Sequence, residues 1–188
     1  MTKFDPQTLD PRQAYRVKRY HTWTMNSQQT NGEHCIQVWR ILKAIWPDAP
    51  ARVLEHALTH DTGERAVGDP PYPTKSSNIT LKTMLDDLES SAHLAMCLPW
   101  SYPPPVKLDG WEHEVFKLAE YIEMWEHALD ELTLGNRGAR IVAQNMAVAI
   151  ALKLEKLSDD SGDFVIRASQ YLATRARYYE NVTWEKTP

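Results

Sequence analysis

Histidine and acidic side chains that break the helical pattern of this chain gather at two places. The first is Gly32-Glu33-His34, where a histidine opens an apolar helix. The second is His60-Asp61-Thr62-Gly63-Glu64, where a His-Asp pair closes another helix and Gly68-Asp69-Pro70 follows. Imidazole nitrogen and carboxylate oxygen are the donors that borderline divalent cations take. An adjacent His-Asp pair at a tightening helix end can turn both side chains into one cleft. His34, from a separate helix, would complete three ligands and leave positions open for water and phosphate oxygens. Taken alone the pair is weak, because 7 histidines and 25 acids in 188 residues produce chance His-Asp neighbours. His56 stands one turn before His60 but has no HExxH-like base beside it, so it reads as a helix-face histidine.

These side chains need helices to carry them, and helical spacing dominates. Cys35, Val38, Trp39, Leu42, Ile45 and Trp46 recur at that spacing and stop before Pro47. Asp48-Ala49-Pro50 opens a second helix through Val53, Leu54, Ala57 and Leu58 to Asp61. Residues 67–75, with prolines at 70, 71 and 73, are expected to form an ordered loop. Helical signal resumes at Ile79, Leu81, Met84, Leu85, Leu88 and Leu94, then breaks at Leu98-Pro99-Trp100 and the prolines 103–105. Val115 to Leu132 makes a long amphipathic helix closed by Gly135-Asn136. The apolar stretch 141–154 is expected to be the central buried helix, and Phe164 to Ala176 a last helix before a polar tail. The expected fold is therefore all-α, a single domain over 1–188 built as a bundle of about six or seven helices.

Composition narrows the function classes. A net charge of −4, with 21 basic and 25 acidic residues well mixed, provides no basic stripe for duplex nucleic acid. Cys35 and Cys97 cannot build a disulfide framework and read as reduced core thiols. The first twenty residues lack the apolar stretch of a secretory signal. No run reaches the ~18 apolar residues of a membrane span, so a cytoplasmic location is expected. His21, His93, His113 and His127 lack partners at metal spacing and read as surface or core-edge residues. Among the tryptophans, Trp39 and Trp125 fall on core stripes, and Trp23 is the candidate for stacking on a base.

Read jointly, Arg19-Tyr20, Glu33-His34, His60-Asp61-x-x-Glu64, Gly68-Asp69-Pro70 and Lys75 resemble the HD-domain phosphohydrolases, in particular the YfbR-like 5′-deoxynucleotidases. The family's G-D-x-P-x-P-x-K is matched almost throughout by residues 68–75. The likeness continues through Lys117-Leu118-Ala119-Glu120, Leu129, Glu131-Leu132 and Gly135-Asn136, and so spans about residues 17–137.

The resemblance implies an HD-type bundle holding one divalent transition metal (Co, Mn, Zn or Fe) on His34, His60, Asp61 and Glu120. The metal would act as a Lewis acid on a phosphoryl oxygen and activate water. Glu64 and Asp69 would be the catalytic acids: Glu64 orients or deprotonates the water, and Asp69 positions a second water, the leaving oxygen or a sugar 3′-hydroxyl. Arg19 would offer a planar fork to phosphate. Tyr20, where relatives carry tryptophan, would pack on the sugar and disfavour a 2′-hydroxyl, and Lys75 would add charge to the phosphate path. Relatives have aspartate at the place of Glu120. The extra methylene leaves two arrangements open: the metal shifts to meet the longer side chain, or water completes its shell.

The implied substrate is a deoxynucleotide attacked at the α-phosphorus. It is either a 5′-monophosphate or a triphosphate, dATP among them, as in phage-encoded triphosphohydrolases. A catalytically silent nucleotide sensor is the alternative. Neither duplex nucleic acid nor membrane is expected as a partner. Self-association into a dimer or larger homo-oligomer is expected by analogy, in a bacterial cytoplasm or, for a phage-encoded protein, its host's.

Overall fold

Helical periodicity accounts for nearly all the regular structure along residues 4–5, 8–158 and 162–184, which the computed structural model describes, side chains at 72, 73, 76 and 181–184 apart. The helices are α1 (Pro11–Ala14), α2 (Asn31–Ile45), α3 (Ala51–Thr59), α4 (Glu64–Val67), α5 (Tyr72–Ser77), α6 (Ile79–Trp100), α7 (Gly110–Thr133), α8 (Ala139–Leu157) and α9 (Gly162–Trp184). The fold is all-α, as expected: among the described residues α2, α3 and α6 to α9 are long, and the rest are short connecting turns. Among the described residues the one β-type feature is an isolated antiparallel bridge between Lys18 and Thr30. No helix among the described residues is long and apolar enough to cross a membrane. Where a polar tail was expected after Ala176, α9 continues as helix to Trp184, and residues 185–188 lie outside the described residues.

The chain divides into two compact units, one of Met1–Ile36 with Glu55–Lys107, the other of Gln37–Leu54 with Leu108–Pro188. In the first, α6 packs on α4 and α5, and α1 on α4. Leu9, Ala92 and Met96 form a small core there, with Phe4, Ala66 and Ala95 against it. The expected loop at 67–75 contains α5, because Pro73 lies in the first turn of that helix, where a fixed φ and a missing N–H fit the backbone. Pro99 does not end α6 either. The helix stops two residues later, at Ser101 in the left-handed region (φ 50°).

His93, read from sequence as a surface or core-edge residue, is 5% exposed, and its Nε2 lies 2.9 Å from the Pro103 carbonyl. It thus ties the proline-rich segment back to α6. Burial holds this imidazole below its ordinary 6.5, against the opposing pull of the Pro103 carbonyl. The unfolded chain therefore takes up the proton at higher pH than the fold does. Stability is complete above about pH 6.5 and declines as pH falls below it. His93→Gln, which keeps a donor for Pro103, is expected to flatten this acid limb in thermal melts. His93→Ala should cost about 1–3 kcal/mol above about pH 6.5, by leaving the Pro103 carbonyl to the weak Cys97 thiol donor 3.7 Å away.

In the second unit α7 begins with a capping box, Asp109 and Glu112 bonding each other's backbone N–H, and packs on α8 and α9. Ala128, Ala139 and Ala143 are small enough for α7 and α8 to close. Buried Glu126 is satisfied by Arg40 (2.6 Å), Arg175 (2.7 Å) and the Tyr171 hydroxyl (2.6 Å). The expectation of a central buried helix at 141–154 is corrected here. Ile141, Val148 and Leu152 on α8 are 64%, 61% and 62% exposed, because the face that α8 buries is that of Ala139, Ala143, Ile150 and Leu157. Trp39 is likewise on the surface rather than in the core.

Candidate metal centre

His34 owes its position to the start of α2. Thr30 Oγ1 accepts from the Glu33 N–H at 3.3 Å, and Glu33 Oε2 accepts from the Thr30 N–H at 2.7 Å, a reciprocal cap that fixes the first turn. Glu33 is thus a capping residue. Gly32 lets the turn rest on Tyr15: a Cβ there would lie 3.0 Å from the Tyr15 Cβ and 3.1 Å from its carbonyl oxygen. His34 follows, 1% exposed.

His60 and Asp61 stand just past α3, where the chain tightens through bonds from Thr62 N to Thr59 O and from Glu64 N to Asp61 O. His60 Nδ1 lies 3.0 Å from the Ala57 carbonyl, which accepts its proton and so turns Nε2 into the lone-pair donor. His60 Nε2 is 3.3 Å from His34 Nε2. Asp61 Oδ1 is 3.3 Å from His60 Nε2, and Oδ2 is 3.7 Å from His34 Nε2. Among the described residues, these three offer ligand atoms all within 4.8 Å of one another. Donors about 2.0–2.1 Å from a tetrahedral ion stand about 3.3 Å apart, so the set fits one divalent cation.

Around this triad the charges are strongly coupled. Arg19 Nη1 donates to Asp61 Oδ2 at 2.8 Å. Arg19 is aimed by the Lys18–Thr30 bridge, by its own N–H on Gln29 O (2.9 Å) and by Gln28 Nε2 on its carbonyl (2.7 Å). Burial opposes charge on Asp61, but His60, then Arg19 and His34, outweigh it and hold the carboxyl well below the usual range. Glu64, one turn on and 4% exposed, is pushed up to about 9 by burial, then by Asp61 and Asp69, against the pull of Arg19 and Asn31. Asn31 Nδ2 donates to Glu64 Oε2 at 2.8 Å and reaches the Asp61 carbonyl at 3.4 Å. Asp69 Oδ2 accepts from the Tyr20 N–H at 3.3 Å and so pins the one site residue whose backbone is left-handed (φ 54°).

Sequence reading missed three residues that organise this centre. Asn31 looks like an ordinary helix-start residue. Tyr102 joins Thr62 Oγ1 (2.9 Å) and the Tyr15 hydroxyl (2.6 Å), so the turn after Asp61 is held by a hydroxyl chain. Glu89, on α6, sits 3.0 Å from Lys75 Nζ, and Glu64 lies 3.7 Å from the same nitrogen. Glu120 lies on α7 in the second unit, where its Oε2 is 2.6 Å from Lys117 Nζ.

Gly63 is where α6 touches the turn. A Cβ there would lie 2.2 Å from the Glu89 carbonyl oxygen and 2.7 Å from its Cα, backbone atoms that cannot step aside. Gly63→Ala is expected to lower stability by about 2–3 kcal/mol, read as a lower denaturant midpoint at unchanged m.

No protein-family model matches the chain, and no curated protein matches it in sequence. Among solved structures it is similar to the cyanophage S-2L HD phosphohydrolase DatZ, bound to dA and one catalytic Zn2+ ion. The two are 18% identical with a TM-score of 0.62, over 96% of this chain and 98% of that one. A likeness at that identity carries the fold alone, an all-α bundle that the two chains share.

Proposed function

We propose that this protein is a metal-dependent phosphohydrolase that cleaves deoxynucleotides between the α-phosphorus and the 5′-oxygen. One observation carries the reading: two imidazole Nε2 atoms 3.3 Å apart, with the Asp61 carboxylate beside both. The Zn2+ and dA bound by the structural neighbour support it. His34, His60 and Asp61 would hold the ion. When bound, the ion supplies Lewis acidity toward a phosphoryl oxygen and water.

The chain's own residues do the rest. Asp61 stays anionic because His60 and Arg19 surround it. Arg19, set by its backbone contacts, presents a guanidinium to phosphoryl oxygens. Glu64 accepts the proton of the attacking water, and its raised carboxyl would be lowered toward the ionised form with a divalent cation held beside Asp61. Asp69 keeps Tyr20 in its left-handed conformation, which sets the ring against the sugar. The water oxygen bonds phosphorus, the bond to the 5′-oxygen breaks, and that oxygen takes up a proton from solvent to leave as the nucleoside hydroxyl, while Glu64 returns the proton it accepted to solvent.

A monophosphate releases phosphate by this step and a triphosphate releases tripolyphosphate. The decisive assay supplies metal-stripped protein with Co2+, Mn2+ or Zn2+ and follows both products from dAMP and dATP. Metal-restored release of either supports the reading, and none from any deoxynucleotide refutes it. A second reading, a nucleotide sensor without turnover, draws on the engagement of Glu120 by Lys117. It predicts nucleotide binding with neither product.

A further inference from the structure

Lys75 is held by acids on two other elements. Its ammonium, on α5, lies 3.0 Å from Glu89 Oε1 on α6 and 3.7 Å from Glu64 Oε1 at the start of α4. The three side chains are 24%, 21% and 5% exposed, so the chain of charges is largely shielded from water. Lysine is a point charge on a flexible four-carbon stem, and its place is dictated by what it pairs with. Glu89, in contrast, is tied to the backbone of the centre, because its carbonyl rests on Gly63 with no room for a Cβ. Burial pulls the Lys75 ammonium toward neutrality, and Glu89 first, then Glu64, overcomes it.

We propose that Glu89 is a positioning residue: it anchors Lys75 beside Glu64, so that the lysine serves the general base rather than the substrate's phosphate. This rests on the reading of Glu64 as the base. Without Glu89, whose carboxylate is the nearer partner at 3.0 Å, the ammonium swings toward solvent. That movement removes a cation fixed at a set distance from the group that must give and take a proton.

Two measurements on the full chain test this. In metal-loaded protein, Glu89→Gln is expected to lower kcat about tenfold while leaving KM within about twofold, since only positioning is lost. Lys75→Met should lower it similarly, and the double variant should be no worse than Lys75→Met alone. In metal-free protein, reductive methylation of Lys75, followed by peptide mass spectrometry, should run several-fold faster in Glu89→Gln than in wild type. Kinetic losses that add, a KM effect without a kcat effect, or an unchanged methylation rate would each overturn the proposal. If wild type turns over no deoxynucleotide, the reading of Glu64 as base fails on its own, and the methylation rates alone decide whether Glu89 anchors Lys75.

Discussion

Asp61→Asn is expected to strip the protein of its metal and its activity together. Partners one step removed from a metal are worth 10–100-fold in affinity or rate, so loss of a direct anionic ligand should exceed about 100-fold in both. The variant should also reveal what Asp61 does when no metal is present. Its Oδ2 accepts from Arg19 at 2.8 Å, with the two side chains only 15% and 10% exposed. Leaving that guanidinium without its anion should cost about 3 kcal/mol in the metal-free protein. His34→Ala removes a ligand without breaking the Arg19 pair. It should therefore lose metal as completely and stability far less. Metal content by atomic emission and denaturant melts on both variants read the difference.

Glu64→Gln should separate chemistry from metal binding in the opposite way. The amide can still accept from Asn31, which donates at 2.8 Å in the wild type, so the centre should keep its shape and its ion. Removal of a general base lowers kcat by about 10²–10⁴-fold, with metal retained. Stability gives the second readout. In the metal-free fold the carboxyl is raised from 4.5 to about 9, first by burial and then by Asp61 and Asp69. Between those values the unfolded chain releases the proton that the fold still holds, so wild-type stability falls as pH rises through that window. Glu64→Gln carries no such proton. It should match wild type near pH 4 and surpass it progressively toward pH 9, and adding metal to wild type should narrow the gap.

Helix content was legible because periodicity reports on one face at a time: α2, α3, α7 and α9 bury residues of their apolar rows, while Ile79, Met84 and Leu94 of the row on α6 are exposed. The same reasoning overstated α8, where Ile141, Val148 and Leu152 lengthen an apolar run without being buried. Counting apolar residues measures what can be buried, and the facing helix decides what is. Proline misled at 67–75, because it forbids a helix interior but suits a first turn, where Pro73 stands; Pro99, by contrast, lies in the last turn of α6.

The His34, His60 and Asp61 set was legible because ligand types are few and their spacing is joint. Asn31 and Glu89 were not, because nothing in an asparagine at a helix start or a glutamate in a long helix tells which buried group it will face. That pairing exists only after α2 and α6 come against the turn at 60–64. Lys75 shows the same limit, since its partners in the fold are Glu64 and Glu89, which its motif does not disclose.

The account stands on one divalent cation shared by His34, His60 and Asp61. Crystals grown with Zn2+ and measured at the zinc absorption edge test this directly. A single anomalous peak about 2 Å from both imidazole Nε2 atoms and from an Asp61 oxygen is the predicted result. A map with no peak there, or with the ion held elsewhere and these side chains turned apart, would contradict it.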